Sequence, residues 1–248
     1  MKRYWVGTSG WSYKHWKGIF YPSDLPSSKW LSFYTEYFST VELNASFYRL
    51  PSESTFSGWH DNTPRGFLFS VKVSRLITHL KKLKNVEHEM QNFILRASML
   101  EERQGPLLYQ LPPSMVKDKD RLAHFCSILP PDLSHVFEFR HESWFCDSVL
   151  DILRQYKMGF CIYDMPGFTT PILSTAEFAY VRFHGSEAMY DSCYQQSELE
   201  LWAGRLSSLP ASTTYIYFNN DTQAYAVKNA LTLSSLLGQP PPPFPGDG

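Results

Sequence analysis

Short apolar runs alternate with longer segments of helical periodicity along almost the whole chain. Eight of these runs have the length of β-strands, and each ends in polar or charged residues. The runs are residues 4–8, 41–43, 67–71, 107–109, 136–139, 160–163, 180–183 and 215–218. Strands that alternate with helices predict a parallel sheet whose strands are joined by helical crossovers.

The segments between the runs repeat apolar residues at steps of three and four, which predicts helices. They cover residues 29–38, 52–62, 86–100, 118–129, 143–156, 197–209 and 223–237. Residues 164–177 differ, because Pro166, Gly167 and Pro171 favour a loop with one short helical turn at most. With 248 residues in all, we predict an α/β fold, a single TIM-type (β/α)8 barrel with an abbreviated sixth crossover.

The end of the chain differs in composition from the rest. Residues 239–248 hold five prolines and two glycines, and they cannot bury enough apolar surface to order themselves. We therefore predict two parts: a barrel domain over residues 1–238 and a disordered Pro/Gly tail over residues 239–248.

Composition and short motifs restrict the cellular compartment that we expect and the molecules that the protein could bind. A net charge of −1 gives no global attraction to nucleic acid or membrane, and no apolar run approaches a membrane span. The four cysteines form no C-x-x-C pair, and no signal-peptide pattern follows Met1. We expect a cytoplasmic protein without membrane contact. No glycine-rich dinucleotide or phosphate-binding pattern appears, so we predict no cofactor. The oligomeric state stays open.

Alternation along the strands predicts which side chains enter the barrel. Strand residues point to opposite faces in turn, and apolar residues must face the helices. The side chains that this places inside are Glu42, Asn44, Ser70, Lys72, Glu138, Arg140, Arg182 and His184.

Two carboxylates then share one space with three permanent cations and one histidine. Buried charges need partners, and the two carboxylates leave at least one cation over. A surplus cation in a concave site favours an anionic ligand such as a phosphate or a carboxylate. The alternative is a salt-bridged plug with no ligand.

Several short motifs recur in the order of one known family. They are Gly7 to Tyr13, Trp16-Lys17-Gly18, Phe20-Tyr21-Pro22, Val41 to Asn44, Phe47-Tyr48 with Pro51, Phe69 to Lys72, Thr78-His79, Gln110 to Pro113, Glu138 to His141, Ser143-Trp144, Val181 to Gly185 and Tyr217 to Asp221. Over residues 4–238 the chain resembles the YecE-like family (DUF72). The resemblance implies a TIM-barrel-like fold and leaves the activity unassigned.

Three interior side chains are candidates for catalysis. His184 suits acid–base work because its ordinary pKa lies near neutral pH, and Glu138 could act with it. Lys72 could be a nucleophile if it is desolvated beside an arginine, although such a lysine is more often an ion-pair partner.

A wider group of residues at the predicted strand ends could bind the substrate. They are Ser9, Tyr13, Trp16, Glu42, Asn44, Tyr48, His79, Gln110, Arg140, Trp144, Asp164, Arg182, Asn219 and Asn220. The aromatic members could stack on a base or a sugar, or simply pack a lid. His79 could face the ligand or lie at the surface, and residues 219–221 could cap the following helix.

A metal ion is the other ligand that this end of the barrel could hold. We call the end formed by the carboxyl ends of the strands the mouth. Glu42, Glu138, Asp164, His184 and Asp221 are possible ligands. They lack the close pairing of known metal motifs, and the cations would repel a divalent ion. We predict no metal site.

Four functions fit the pattern. The first is an enzyme, a hydrolase or a lyase, that acts on a small anionic molecule. The second is a nucleic-acid-binding barrel or phosphodiester nuclease, which the absence of a Lys/Arg run disfavours. The third is a glycosidase-like hydrolase built on Glu42 and Glu138. The fourth is a non-catalytic interaction protein with a salt-bridged interior.

Overall fold

The computed structural model describes residues 2–239 and 244, and its central feature is a barrel of eight parallel strands. The strands are β1 Arg3–Thr8, β2 Thr40–Leu43, β3 Leu68–Lys72, β4 Gln104–Leu111, β5 His135–Phe139, β6 Gly159–Met165, β7 Phe168–Thr169, β8 Phe178–Phe183 and β9 Thr213–Phe218. Short β7 pairs antiparallel with β6 and lies outside the barrel order.

The barrel strands follow the order β1-β9-β8-β6-β5-β4-β3-β2. The remaining gap, between β1 and β2, is bridged where Ser9 pairs with Glu42 in parallel. Gly7 brings the two strands together, since a Cβ built on it would lie 2.2 Å from the carbonyl oxygen of Thr40. The predicted TIM-type barrel is confirmed.

Helices cover the outside of the barrel. They are α1 Trp30–Tyr34, α2 Ala45–Tyr48, α3 Glu53–Asp61, α4 Glu87–Ala97, α5 Lys119–Ser127, α6 Asp147–Gln155, α7 Gln196–Ser208 and α8 Tyr225–Leu236. Short 3₁₀ turns occupy Lys14–Trp16, Ser27–Lys29, Ser98–Arg103, Glu142–Trp144 and Thr222–Ala224, and a π turn occupies Leu76–Leu80.

The predicted helices have the right places but often wrong ends. The segment predicted as helix 29–38 splits into a 3₁₀ turn and the five-residue α1. At α3 the predicted start is confirmed, because the Ser52 hydroxyl accepts a hydrogen bond from the Thr55 N–H. The sixth crossover, residues 166–177, contains only β7 and loop, so its abbreviation is confirmed.

The two faces of the strands differ as the alternation predicted. Outward side chains such as Phe69 and Phe139 join the main core beneath the helices. A separate small cluster fills the inside of the barrel below the charged residues: Leu108, Val136, Cys161, Tyr180 and Tyr217. This apolar cluster forms the floor on which the charged side chains rest.

Most of the predicted tail lies outside the described residues. Of residues 239–248, the structure describes Gln239 and Phe244, and the Phe244 ring lies 6.3 Å from that of Phe20, centroid to centroid. The division into a barrel domain and a disordered tail stays a prediction. Within residues 2–239 and 244, the helices are too short or too polar to cross a membrane.

Candidate functional site

Arg182 lies at the centre of a buried ion-pair network inside the barrel. From β8 its Nη1 donates to Glu138 Oε2 at 2.6 Å, and its Nη2 donates to Glu42 Oε1 at 2.8 Å. Nη2 also lies 3.3 Å from Ser9 Oγ. Both carboxylates are 0% exposed. One guanidinium therefore joins β2, β5, β8 and the residue that follows β1 across the barrel.

Hydroxyl groups satisfy the rest of the Glu42 carboxylate. Tyr180 Oη donates to Glu42 Oε2 at 2.6 Å, and the Ser9 hydroxyl donates to Oε1. Tyr180 is in turn bonded to Ser70 Oγ at 2.7 Å, and Asn44 Nδ2 donates to Ser9 Oγ at 2.6 Å. Because its oxygens are occupied, Glu42 is held firmly in place.

The second carboxylate, Glu138, lies between two arginines. Arg140 Nε donates to its Oε1, while Arg182 binds Oε2. Burial favours the neutral acid, but Arg140 and Arg182 outweigh it and hold the pKa of Glu138 well below its usual range. Glu138 is therefore an anion at neutral pH and cannot serve as a general acid.

His184 is oriented by the outer end of Arg140. Arg140 Nη2 lies 2.7 Å from His184 Nε2, and since arginine only donates, Nε2 must accept. The proton of the neutral ring is then on Nδ1, which lies 3.1 Å from the side-chain amide of Asn219. An Nδ1–H donor needs an acceptor, so this tautomer requires the Asn219 amide to present its oxygen, rather than its NH2 group, to the ring. Burial, with Arg182 and Arg140 nearby, lowers the pKa of His184 well below its usual range. This geometry suits a positioning partner of Arg140 better than the predicted general acid.

Lys72 is the cation of the network that lacks a carboxylate partner. Its Nζ lies 4.3 Å from the centre of the Phe47 ring. In the described part of the chain, both buried carboxylates pair with arginines and no carboxylate lies within ion-pair distance of Nζ. The side chain is half-buried at the end of β3. Burial, reinforced by Arg182, lowers the pKa of Lys72 to about 8.

His79 packs beside this lysine. Its ring meets Phe47 edge to face at 4.9 Å, and its Nδ1 lies 2.9 Å from Thr78 Oγ1. Burial and the charge of Lys72 lower the pKa of His79 to about 4. His79 is therefore a neutral imidazole that shares the Phe47 ring with Lys72.

Three other predicted residues lie around the charged network. Tyr13 is half-buried, and its Oη donates to the Ser9 carbonyl at 2.5 Å. Gln110 pairs in register with Glu138 on the neighbouring strand and is half-buried. Tyr48 is 72% exposed and packs against Phe47.

Four predicted binding residues are not brought to the network. Trp16 and Trp144 are fully buried, and their indole N–H groups donate to the carbonyls of Asp221 and Met115. Of the two alternatives for these rings, the structure shows packing. Asp164 accepts hydrogen bonds from Thr169 and Tyr194 instead, while buried Asn220 donates to Ser192 and Asn229.

The capping alternative for residues 219–221 is also not realised. Asp221 precedes the 3₁₀ turn Thr222–Ala224, but its side chain makes no capping hydrogen bond. The α-helix begins only after Ala224, whose φ of 57° interrupts the helical path. Asn219 instead turns its amide to His184.

Three contributors were not among the site residues predicted from the sequence. Tyr180 binds Glu42, Tyr163 lies 4.5 Å beneath the Arg140 guanidinium, and Phe47 supports Lys72. The signal for Tyr180 was available, because it precedes Arg182 by two residues and so shares its face of the strand. No such periodicity marks Phe47, which lies in α2.

Two other features lie at the opposite, N-terminal end of the barrel. His60, Glu101 and Glu102 form a group that could hold a cation, and all three lie outside the mouth. A cleft of about 550 Å³ opens beside the beginning of β1. Because active sites of such barrels lie at the C-terminal ends of the strands, we place the candidate site at the charged mouth.

Solved structures share this fold. A DUF72 family protein from Thermotoga maritima MSB8 superposes with a TM-score of 0.85 and 32% identity, covering 95% of this chain and 99% of that chain. A DUF72 family protein from Enterococcus faecalis V583 gives a TM-score of 0.80 at 19% identity, with 95% of each chain covered, and supports the fold alone.

Sequence relatives lead to the same group. UPF0759 protein YunF of Bacillus subtilis (strain 168) is 26% identical and covers 94% of both chains. UPF0759 protein YecE of Escherichia coli (strain K12) is 28% identical over 57% of this chain and 50% of that protein. A family model described as "Protein of unknown function DUF72" matches residues 5–246. The chain therefore belongs to the DUF72 family.

Proposed function

We propose that this protein is an enzyme that binds a small anionic molecule, a phosphate or a carboxylate, at the C-terminal mouth of its barrel. The observation that carries the proposal is that Lys72 pairs with no carboxylate among residues 2–239 and 244. Two buried carboxylates face three cations, and Arg182 and Arg140 occupy those carboxylates. The remaining positive charge favours an anion from outside.

Arg140 supports the same proposal with a second donor. Its Nη1 has Met165 Sδ as its partner at 3.7 Å, which is a weak acceptor. Glu138 and the Tyr163 ring hold the guanidinium in place. Since a fixed guanidinium recognises carboxylates and phosphates well, an anion can take the place of the sulfur.

The alternative of a glycosidase fits this site poorly. A glycosidase of either stereochemistry needs one carboxyl group that donates a proton. Glu138 is held as an anion, and the oxygens of Glu42 are occupied by Arg182, Tyr180 and Ser9.

The nucleic-acid alternative loses two of the four aromatic side chains that could stack on bases, Tyr13, Trp16, Tyr48 and Trp144. Trp16 and Trp144 are fully buried, and only Tyr48 of that set stands in solvent. Stacking platforms for single strands need exposed rings in succession. The interaction-protein alternative accounts for the paired part of the network but leaves Lys72 unexplained.

A binding measurement tests the proposal. Isothermal calorimetry with inorganic phosphate would compare the unmodified protein with Lys72→Gln and with Lys119→Gln. Lys119 is an exposed lysine at the start of α5, near the same end of the barrel. We expect Lys72→Gln to weaken binding by at least about 10-fold, since it removes the free charge, and Lys119→Gln to leave it unchanged. Equal affinity in all three proteins would refute the proposal.

We also propose that the protein works in a reducing compartment, the cytoplasm. All four cysteines are free thiols: Cys126, Cys146, Cys161 and Cys193. Disulfides are rare in such compartments. Detection of the protein in a periplasmic or extracellular fraction would contradict this part.

A further inference from the structure

We propose that Lys72 forms an imine with the carbonyl group of its anionic substrate, so that the substrate is an aldehyde or a ketone that also carries a phosphate or a carboxylate. This inference rests on the proposed function, because the anionic group is what places the carbonyl beside the lysine. It adds a covalent step and a substrate class to simple anion binding.

The surroundings of Lys72 suit an amine that must become a nucleophile. The Nζ atom packs on the Phe47 ring, and the carboxylates that would keep it protonated are taken by Arg140 and Arg182. Desolvation beside other cations is the usual way in which proteins activate a lysine for imine chemistry. Lys72 is half-buried at the end of β3, on the side of the barrel where the charged network lies.

The charge state of the lysine is consistent with this role. With a pKa of about 8, about a quarter of the amine is neutral at pH 7.5, against about one part in a thousand for an ordinary lysine. Neutral amine is the form that attacks a carbonyl carbon. The geometry and the charge state therefore point to the same reaction.

Arg140 and Lys72 have different roles in the proposed reaction. Arg140 is permanently charged and is held by Glu138 on one side and by His184 on the other. It can bind the anionic group of the substrate without titrating. Lys72 is the cation of the pair that can lose its proton, and it is therefore the one free to react.

The covalent step needs no outside reagent. The lone pair of Nζ forms a bond to the carbonyl carbon as the C=O π pair moves onto oxygen, and one proton passes from Nζ to that oxygen to give a carbinolamine. A second proton from solvent lets the oxygen leave as water while the nitrogen lone pair forms the C=N bond. The product is a protonated imine, an electron sink for cleavage or proton removal at the next carbon. His79, a neutral imidazole on the same Phe47 ring, can accept and return protons during these steps.

Reductive trapping tests this inference on the full chain. The protein is incubated with glyoxylate and sodium cyanoborohydride, and peptide mass spectrometry follows the carboxymethyl label at each lysine. We expect Lys72 to be labelled at least about 10-fold faster than Lys119 in the same molecule. We also expect inorganic phosphate to protect Lys72, and acetaldehyde, which lacks an anionic group, to show much less preference for it.

A matched variant separates the two proposals. Lys72→Arg keeps the positive charge but cannot form an imine, so it should bind phosphate nearly as well as the unmodified protein and take up no label at position 72. Labelling of Lys72 at the rate of Lys119, in a protein that binds phosphate, would overturn the imine inference alone. Loss of phosphate binding itself, read by calorimetry, would overturn the proposed function.

Discussion

At the scale of single residues, the interior of the barrel depends on Arg182. This guanidinium is the shared partner of Glu42 and Glu138, and all three side chains are almost completely buried. Removing one partner of a buried ion pair leaves a charge that neither water nor protein can stabilise. The cost of losing Arg182 should therefore exceed that of losing an arginine at the surface.

Replacing Arg182 by Met should lower the free energy of unfolding by about 3–5 kcal/mol, because two carboxylates lose their common partner. The control is Arg154→Met, which breaks an exposed pair with Asp151 and should change stability by less than about 1 kcal/mol. Urea denaturation of both variants measures the difference. Similar values for the two would show that the buried network is not the stabilising element that we describe.

The titration of Lys72 gives a second residue-scale prediction. Since the pKa of Lys72 is about 8 in the free protein, its positive charge is present below that pH and disappears above it. Binding of sulfate, whose charge is constant over this range, should therefore weaken as the pH rises from 7 to 9.5. A bound anion favours the charged amine, so the loss of sulfate affinity should occur at a somewhat higher pH than the pKa of the free protein.

Calorimetry with sulfate across this range provides the measurement, and Lys72→Arg provides the control. Arginine does not lose its proton in proteins, so affinity in that variant should stay constant. If the unmodified protein were equally insensitive to pH, Lys72 would not be the cation that binds the anion.

At the scale of elements, the barrel closes where β1 meets β2. Gly7 permits this contact, because any side chain would collide with the Thr40 carbonyl 2.2 Å from the position of its Cβ. The same contact places Ser9 beside Glu42. The closure of the barrel and the assembly of the charged network therefore depend on one another.

Gly7→Ala should destabilise the protein by about 1–3 kcal/mol or more, since the added methyl group must push two backbone strands apart. Gly58→Ala is the matched control. Gly58 lies within α3 with no atom within 4 Å of the added Cβ, so alanine there should stabilise the protein by about 0.5–1 kcal/mol. Thermal unfolding of the two variants should shift in opposite directions, and a harmless Gly7→Ala would contradict this account of closure.

Periodicity predicted the strand interiors better than the strand ends. Alternation on β2, β5 and β8 correctly placed Glu42, Glu138 and Arg182 inside, because the face toward the helices must be apolar. Asp164 and Asn220 were chosen only because they end strands. Asp164 pairs in register with outward-facing Phe183, so the same alternation could have placed it outside and Tyr163 inside.

The sequence could not predict whether the two tryptophan side chains are exposed or buried. Trp16 and Trp144 follow strands and could stand above the mouth or pack beneath it. Their burial depends on hydrogen-bond acceptors far away in the sequence, the carbonyls of Asp221 and Met115. No local sequence pattern reveals these partners. A large apolar ring with a satisfied N–H gains more from burial than from exposure.

At the scale of the whole molecule, the buried titratable groups make the fold sensitive to acid. The folded pKa of His184 lies well below its ordinary value of 6.5, and that of His79 lies at about 4. The folded pKa of Glu138 is also depressed from its ordinary value of 4.5. In each case the unfolded chain binds protons more readily than the folded protein, so acid favours unfolding.

Stability should accordingly fall slightly as the pH drops through 7.5, because folded Lys72 still takes up part of its proton there. It should fall more steeply below 6.5 through the histidines, and further below 4.5 as Glu138 contributes. Urea denaturation at pH 7.5, 5.5 and 4 follows this course. His184→Gln, which has no titrating ring, should lose less stability between pH 7.5 and 5.5. A free energy of unfolding that rises over that interval would contradict the buried, neutral state of His184.

The most direct test of the account is a crystal structure of the protein soaked with tungstate, whose anomalous scattering locates the anion without ambiguity. We predict tungstate within hydrogen-bond distance of Lys72 Nζ and an Nη atom of Arg140, with Arg182 still bound to both carboxylates. An ordered mouth without anion, in which Lys72 pairs with Glu42 or Glu138, would show that the charges satisfy one another and would contradict an anion site.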